Sequence, residues 1–168
     1  MTGVYRKYSD TVAAARVKAF LKILREHATQ GYSDPYFAME ADGKKLTFTD
    51  TSVHPYAVKD ENKPAGAYQI YWKAFKDGML DVTGWPVSFT PADQDRAAIF
   101  ELQGRQSKSA YPVRSALGYI MEGNIKQAVN DTKLYVLFTF LPGGGKKQSI
   151  EMDKLEHDFS TYVAEYAK

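Results

Sequence analysis

The chain has 168 residues, 44% of them hydrophobic and 25% charged, and 22 Lys and Arg against 20 Asp and Glu leave a net charge of +2. Those proportions belong to a globular chain long enough to bury a core; they exclude a fibrous, repeat-built or disordered one, and the small net charge makes no case for nucleic acid as a partner. Cysteine is absent, which excludes disulfides, zinc–thiolate sites and a Cys nucleophile, and no run approaches the roughly 18 apolar residues of a membrane-spanning helix.

In chain order, residues 1–15 carry no apolar stretch ahead of a small-residue cleavage site, so no secretory signal is expected and synthesis in the cytoplasm is. Residues 11–28 read as a helix, with Val17, Phe20, Leu21 and Leu24 at helical spacing and Ala28 the next step on that stripe. Gly31, Pro35, Gly43, Pro55 and Pro64 punctuate residues 29–64, where an extended loop and a hairpin turning at Asp42-Gly43 are expected. A second helix is expected over 66–79, burying Tyr68, Tyr71, Trp72 and Phe75. Thr90-Pro91 with Asp93 opens a third, ended by Gly104 after about Gln103. Short helices follow from Val113 to Met121, stopped by Gly123, and from Asn124 to Phe138. LPGGGKKQ breaks the chain at 141–148, and a last helix covers 150–167. The sum is six helices and one small β element, an α-rich α+β fold in a single domain over 1–168. Aromatic residues at 14%, with 12 Tyr, suit a ring-stacking cleft as well as a Tyr-heavy core.

Most familiar chemistries fail on spacing. His27, His54 and His157 have no partner at metal-ligand spacing, and neither HExxH nor GxSxG occurs, so no metal and no cofactor is expected. The phosphate-loop pattern GxxxxGK[ST] fails at 140–147, where Phe140 replaces its first Gly and Lys147 its Ser or Thr. Asn130-Asp-Thr132 matches a glycosylation sequon but falls within a predicted helix.

Phe48-Thr49-Asp50, Ser52 and His54-Pro55, followed by Ala65-Gly66-Ala67-Tyr68-Gln69, then Thr90-Pro91 with Gln94-Asp95, then Leu141-Pro142-Gly143-Gly144-Gly145 with Gln148, stand in one order along the chain. Together they resemble the lambda-type phage endolysins, glycoside hydrolase family 104, over about residues 17–165. The resemblance implies a lysozyme-like fold with a small β-hairpin lobe. It also implies a bacteriolytic muramidase of the lytic transglycosylase kind, cleaving the β-1,4 bond between N-acetylmuramic acid and N-acetylglucosamine in peptidoglycan. In that reaction the muramyl 6-hydroxyl attacks and a 1,6-anhydro sugar forms. One glutamate acts first as acid and then as base, which requires a carboxyl with a raised pKa and no second carboxylate.

The family carries this glutamate at the end of its first helix, in a pattern like AFLxxIxxxEGT. Aligning Phe20-Leu21 brings residue 28 to that position, and residue 28 is Ala, followed by Thr29 instead of Gly. Glu26 is the alternative acid, but at about 100° per residue it points about 200° away from residue 28, toward Arg25 and Lys22 on what reads as a solvated face. Ala28 is then either a Glu→Ala change that disables an enzyme or a natural loss that leaves a binding protein. The resemblance also implies substrate contacts from Asp50, His54, Gly66, Tyr68, Gln69, Gly144 and Gln148. Several have a plainer reading: a turn cap for Asp50, a structural histidine for His54, core for Tyr68 and a simple connection for the 141–148 loop; Gln69, whose amide both donates and accepts, is the better candidate for a direct sugar contact.

The functions that fit are a phage endolysin reaching the periplasmic wall through a holin, or an antibacterial effector delivered by a secretion machine and matched by an immunity protein that inhibits it. A non-catalytic glycan-binding or protein-interaction module on the same scaffold is the alternative, because fold does not fix function.

Overall fold

The computed structural model describes residues 10–83, 88–104, 115–145 and 149–168. Among them lie six α-helices and four short strands, an α+β fold: α1 (Asp10–Ala28), β1 (Ala38–Ala41), β2 (Lys44–Thr47), β3 (Pro64–Ala65), β4 (Ile70–Tyr71), α2 (Trp72–Thr83), α3 (Pro91–Gln103), α4 (Ala116–Glu122), α5 (Ile125–Asn130) and α6 (Met152–Tyr166). The chain divides into two compact units, one of residues up to Ile23 with Leu102–Lys168, the other Leu24–Glu101.

In the Leu24–Glu101 unit, β1 and β2 pair antiparallel with Ala41 opposite Lys44. The two turn residues, Asp42 and Gly43, have φ of 53° and 74°, as the tightest hairpin turns require, so the turn read from the sequence is the turn formed. Every residue of β2 is exposed, and the hairpin contributes only Ala38 to the core.

The helix expected over 66–79 begins instead at Trp72. Residues 64–71 form a second antiparallel hairpin, Pro64 opposite Tyr71 and Ala65 opposite Ile70. Its turn places Gly66 at φ 81° and Gln69 at φ 50°, a left-handed backbone that no α-helix can propagate. Tyr71 consequently lies exposed, while Tyr68 stays buried from the turn. Asn62 caps the delayed start by accepting a hydrogen bond from the Lys73 backbone N at 3.0 Å. Trp72, Phe75 and Met79 then repeat at helical spacing as the buried face of α2.

α3 starts as read. Thr90 Oγ1 accepts from the Asp93 backbone N at 3.3 Å, and the Asp93 carboxylate accepts from the Thr90 and Ser88 hydroxyls. The core of this unit is aromatic. Phe89 meets Phe75 edge to face at 4.9 Å and the His54 ring at 4.6 Å, and Phe48 packs on Phe89 at 5.8 Å. Pairs of this kind contribute about 0.5–1.5 kcal/mol each beyond their buried area.

In the other unit, Ser115 caps α4 by accepting from Gly118 N at 3.1 Å, and Gly123 ends it at φ 85°. The expected start at Val113 falls outside the described residues. The helix expected over 124–138 is only α5, six residues long, followed by a single 3-10 turn at Leu134–Val136. Lys133 at φ 54° separates the two pieces. α6 buries Leu155 and Phe159 and leaves Tyr166 exposed. Arg16 reaches the α4 end, donating to the Met121 carbonyl at 2.8 Å. Lys22 meets Glu165 at 3.3 Å on the surface, a pair worth little. Among the described residues no helix is long and apolar enough to cross a membrane.

Candidate functional site

α1 ends at Ala28, and Thr29 closes the helix from outside. Thr29 is buried, and both its backbone N and its hydroxyl bond to the Arg25 carbonyl, at 3.1 and 2.6 Å. Leu21 and Leu24 on the same helix are buried, whereas Ala28 and Arg25 are half-buried and Glu26 is exposed. Residue 28 therefore occupies the margin of the core and Glu26 the outer face, as the helical angles require.

Arg25 does not belong to the solvated face expected for it. Its Nη1 donates to the Tyr68 hydroxyl at 2.9 Å, and its guanidinium lies 5.6 Å from the centroid of the Tyr36 ring. Tyr68 in turn donates to Asp95 Oδ1 at 2.5 Å, and Tyr36 donates to the same oxygen at 2.8 Å. One carboxylate thus orients two phenols, and the two phenols orient one guanidinium. Burial works against the charge on Arg25, and Tyr68, Tyr36 and Asp95 outweigh it, holding its pKa above the ordinary value. Burial pushes the Tyr68 hydroxyl far up, so it stays a neutral donor.

Gln94, the neighbour of Asp95, is fully buried. Its Oε1 accepts from Ala67 N at 2.8 Å, and its Nε2 donates to the Tyr36 and Phe89 carbonyls at 2.9 and 3.0 Å. This amide holds the Tyr36 loop, the 66–69 turn and the start of α3 together. It also explains Gly66. A Cβ there would run into Gln94 Oε1 and come within 2.9 Å of the Phe89 ring, at a φ that L residues rarely adopt. Gly66 is needed for this internal packing, a requirement that stands independently of any glycan contact.

The other expected contacts divide. His54 is fully buried. Tyr56 N donates to its Nδ1 at 3.1 Å, so Nε2 carries the proton and donates to the Ile70 carbonyl at 2.9 Å. Both nitrogens are spent and no face is open to a sugar, so His54 takes the structural reading. Asp50 is exposed and caps its own turn, with Oδ1 accepting from Ser52 N at 2.9 Å and Ser52 Oγ at 2.6 Å. These bonds hold its pKa below the ordinary value. Gln69 Nε2 donates to the Gly66 carbonyl at 2.9 Å, leaving Oε1 without a partner among the described residues. In the other unit, the Gly144 Cα packs so closely on the Thr139 carbonyl that no Cβ fits, and Gly144 N donates to the Leu141 carbonyl at 3.0 Å. The 141–145 stretch is a built turn, whereas Lys146, Lys147 and Gln148 fall outside the described residues.

Burial drops the His54 pKa from 6.5 to about 4, with the Ile70 hydrogen bond opposing it. A pKa lowered on folding gives stability that is present above about 6.5 and lost as pH falls toward 4. Two and a half pKa units correspond to about 3 kcal/mol. The free energy of unfolding is expected to fall by about that much from pH 7 to 4 beyond the carboxylate contribution. His54→Gln, compared by urea titration across this range, should flatten that part of the slope; an unchanged slope would assign the loss to other groups.

Sequence reasoning missed Arg25, Tyr36 and Asp95. One signal was available: Arg25 stands four residues after Leu21 and three before Ala28, which sets it on the core stripe, not outside it. Among the described residues no group of three or more His, Asp or Glu is placed to hold a metal ion. In comparison with known proteins, a family model described as Endolysin matches residues 18–166. No curated protein and no solved structure matches the chain.

Proposed function

The chain belongs to the endolysin family, the wall-lytic enzymes of phage whose substrate is peptidoglycan, and from that premise we propose that it engages the glycan strand at the MurNAc-β-1,4-GlcNAc bond, with residue 28 as the catalytic seat. The reading takes 1–168 as one peptidoglycan-directed domain acting at the periplasmic wall after holin release. The observation that carries it is the end of α1. Its last residue is half-buried, stands one helical turn after Arg25, and is an alanine.

A muramidase of the transglycosylase kind needs one carboxyl there. As an acid it protonates the leaving O4 of N-acetylglucosamine; as the resulting carboxylate it takes the proton of the muramyl 6-hydroxyl, which closes the 1,6-anhydro ring. With a methyl group at residue 28, neither proton has a carrier. Glu26 cannot substitute from the exposed face of the helix. The chain as it stands therefore holds the glycan and does not cut it.

The test is incubation with purified sacculi. The chain should sediment with them and release no soluble muropeptide. Release at a rate well above background would remove residue 28 from its assigned role, and failure to sediment would remove the glycan-binding reading. A second reading, a naturally non-catalytic glycan-binding module, draws on one observation: the Arg25–Tyr68–Asp95 hydrogen bonds form without any side chain from residue 28.

A further inference from the structure

A half-buried arginine is ordinarily matched by a carboxylate, because its charge loses hydration. Among the described residues, no carboxylate lies within 4.0 Å of the Arg25 guanidinium; Asp95 is joined to it through the Tyr68 hydroxyl. Of the five N–H donors of a guanidinium, one is committed, to Tyr68. No buried side-chain nitrogen lacks a partner among the described residues, so the donors that remain open on Arg25 face solvent.

The side chain is nonetheless held in place. Tyr68 is 3% exposed and fixed by Asp95, and the Tyr36 ring backs the guanidinium plane. Much of the rotamer entropy that a loose arginine loses on binding has already been given up here. Arg25 itself stands one helical turn before Ala28, on the same side of α1.

We propose that Arg25 is a substrate-recognition residue: it binds a carboxylate of the peptide stem carried by the muramyl sugar, so that the chain selects stem-bearing glycan over a neutral N-acetylglucosamine polymer. The assignment rests on the glycan reading above. A planar guanidinium with two or more free donors pairs with a carboxylate through parallel hydrogen bonds, and that geometry is the one lysine cannot copy. Peptidoglycan carries stem carboxylates along its strand, whereas chitooligosaccharides carry none.

Three probes test this by calorimetry on the full chain: GlcNAc-MurNAc-L-Ala-D-Glu, its diamide and chitotetraose. The free acid should bind about tenfold or more tighter than the diamide, with a preference that shrinks as salt rises. Arg25→Met should abolish the preference of acid over diamide; Arg25→Lys, which keeps the charge, should restore only part of it. Equal binding of acid and diamide by the unaltered chain would overturn the proposal, a result that does not depend on any variant folding. So would a preference that survives in Arg25→Met. If the chain binds none of the three probes, the glycan reading itself falls, whereas chitotetraose binding without acid preference removes only the role of Arg25.

Discussion

Ala28→Glu is expected to release soluble muropeptides from sacculi about 10²–10⁴-fold faster than the unaltered chain, the range over which a positioned acid–base group acts. The backbone is already in place: residue 28 closes α1 within helical geometry, so a glutamate there adopts ordinary rotamers and extends from the half-buried margin. Two influences then set its pKa. Partial burial raises it, and the Arg25 guanidinium one turn away lowers it. Asp95, joined to Arg25 through Tyr68, carries the opposite charge and moderates the second influence. Activity should accordingly be greater at pH 5 than at pH 8, and Ala28→Glu with Arg25→Met should move the alkaline limb upward. Mass spectrometry of the products reads the mechanism at once, since anhydro and hydrated ends differ by one water. An Ala28→Glu chain that folds, sediments with sacculi and still does not cut would favour the naturally non-catalytic module.

The parts of the fold legible in the sequence are those whose cause is local. α1 follows from apolar spacing, the first hairpin from Asp42-Gly43, and α3 from Thr90-Pro91-Ala92-Asp93. The 66–79 stretch misleads for the opposite reason. Tyr68, Trp72 and Phe75 are all buried and fall near helical spacing, but Tyr68 is buried by a turn that Gln94 holds from residues far along the chain. Apolar periodicity cannot separate a helix from a hairpin followed by a helix when the turn is imposed by a tertiary hydrogen bond. α5 reads too long in the sequence likewise, because the left-handed Lys133 that breaks it has no glycine or proline signature. At the candidate site, the resemblance singles out residue 28 and Tyr68, whereas Arg25, Tyr36 and Asp95 are not legible in the sequence. Asp95, Tyr68, Tyr36 and Arg25 are scattered far apart along the chain, and only packing brings them together.

That dependence on Gln94 gives the largest expected loss of stability. Gln94→Leu keeps the volume and so opens no cavity of consequence, but it removes three hydrogen bonds together. Ala67 N and the carbonyls of Tyr36 and Phe89 would be left facing a methyl group, at about 1–3 kcal/mol for each buried group unsatisfied. Allowing for partial relaxation, the unfolding free energy should fall by about 4 kcal/mol, read from denaturant titration with near-ultraviolet circular dichroism as the probe. Gln94→Glu separates the contributions. Its carboxylate still accepts from Ala67 N but offers the two carbonyls no donor, and it adds an uncompensated buried charge, so at neutral pH it should be at least as damaging as leucine. The loss should also reach the site, because Tyr36 is held at its carbonyl by Gln94 and at its hydroxyl by Asp95. With the first hold gone, the ring behind Arg25 loosens, and any preference for a stem carboxylate should weaken even under conditions where the chain remains folded. A Gln94→Leu chain that loses less than about 1 kcal/mol would mean that water replaces the amide at all three partners, and the 66–69 turn would then need another explanation for its left-handed backbone.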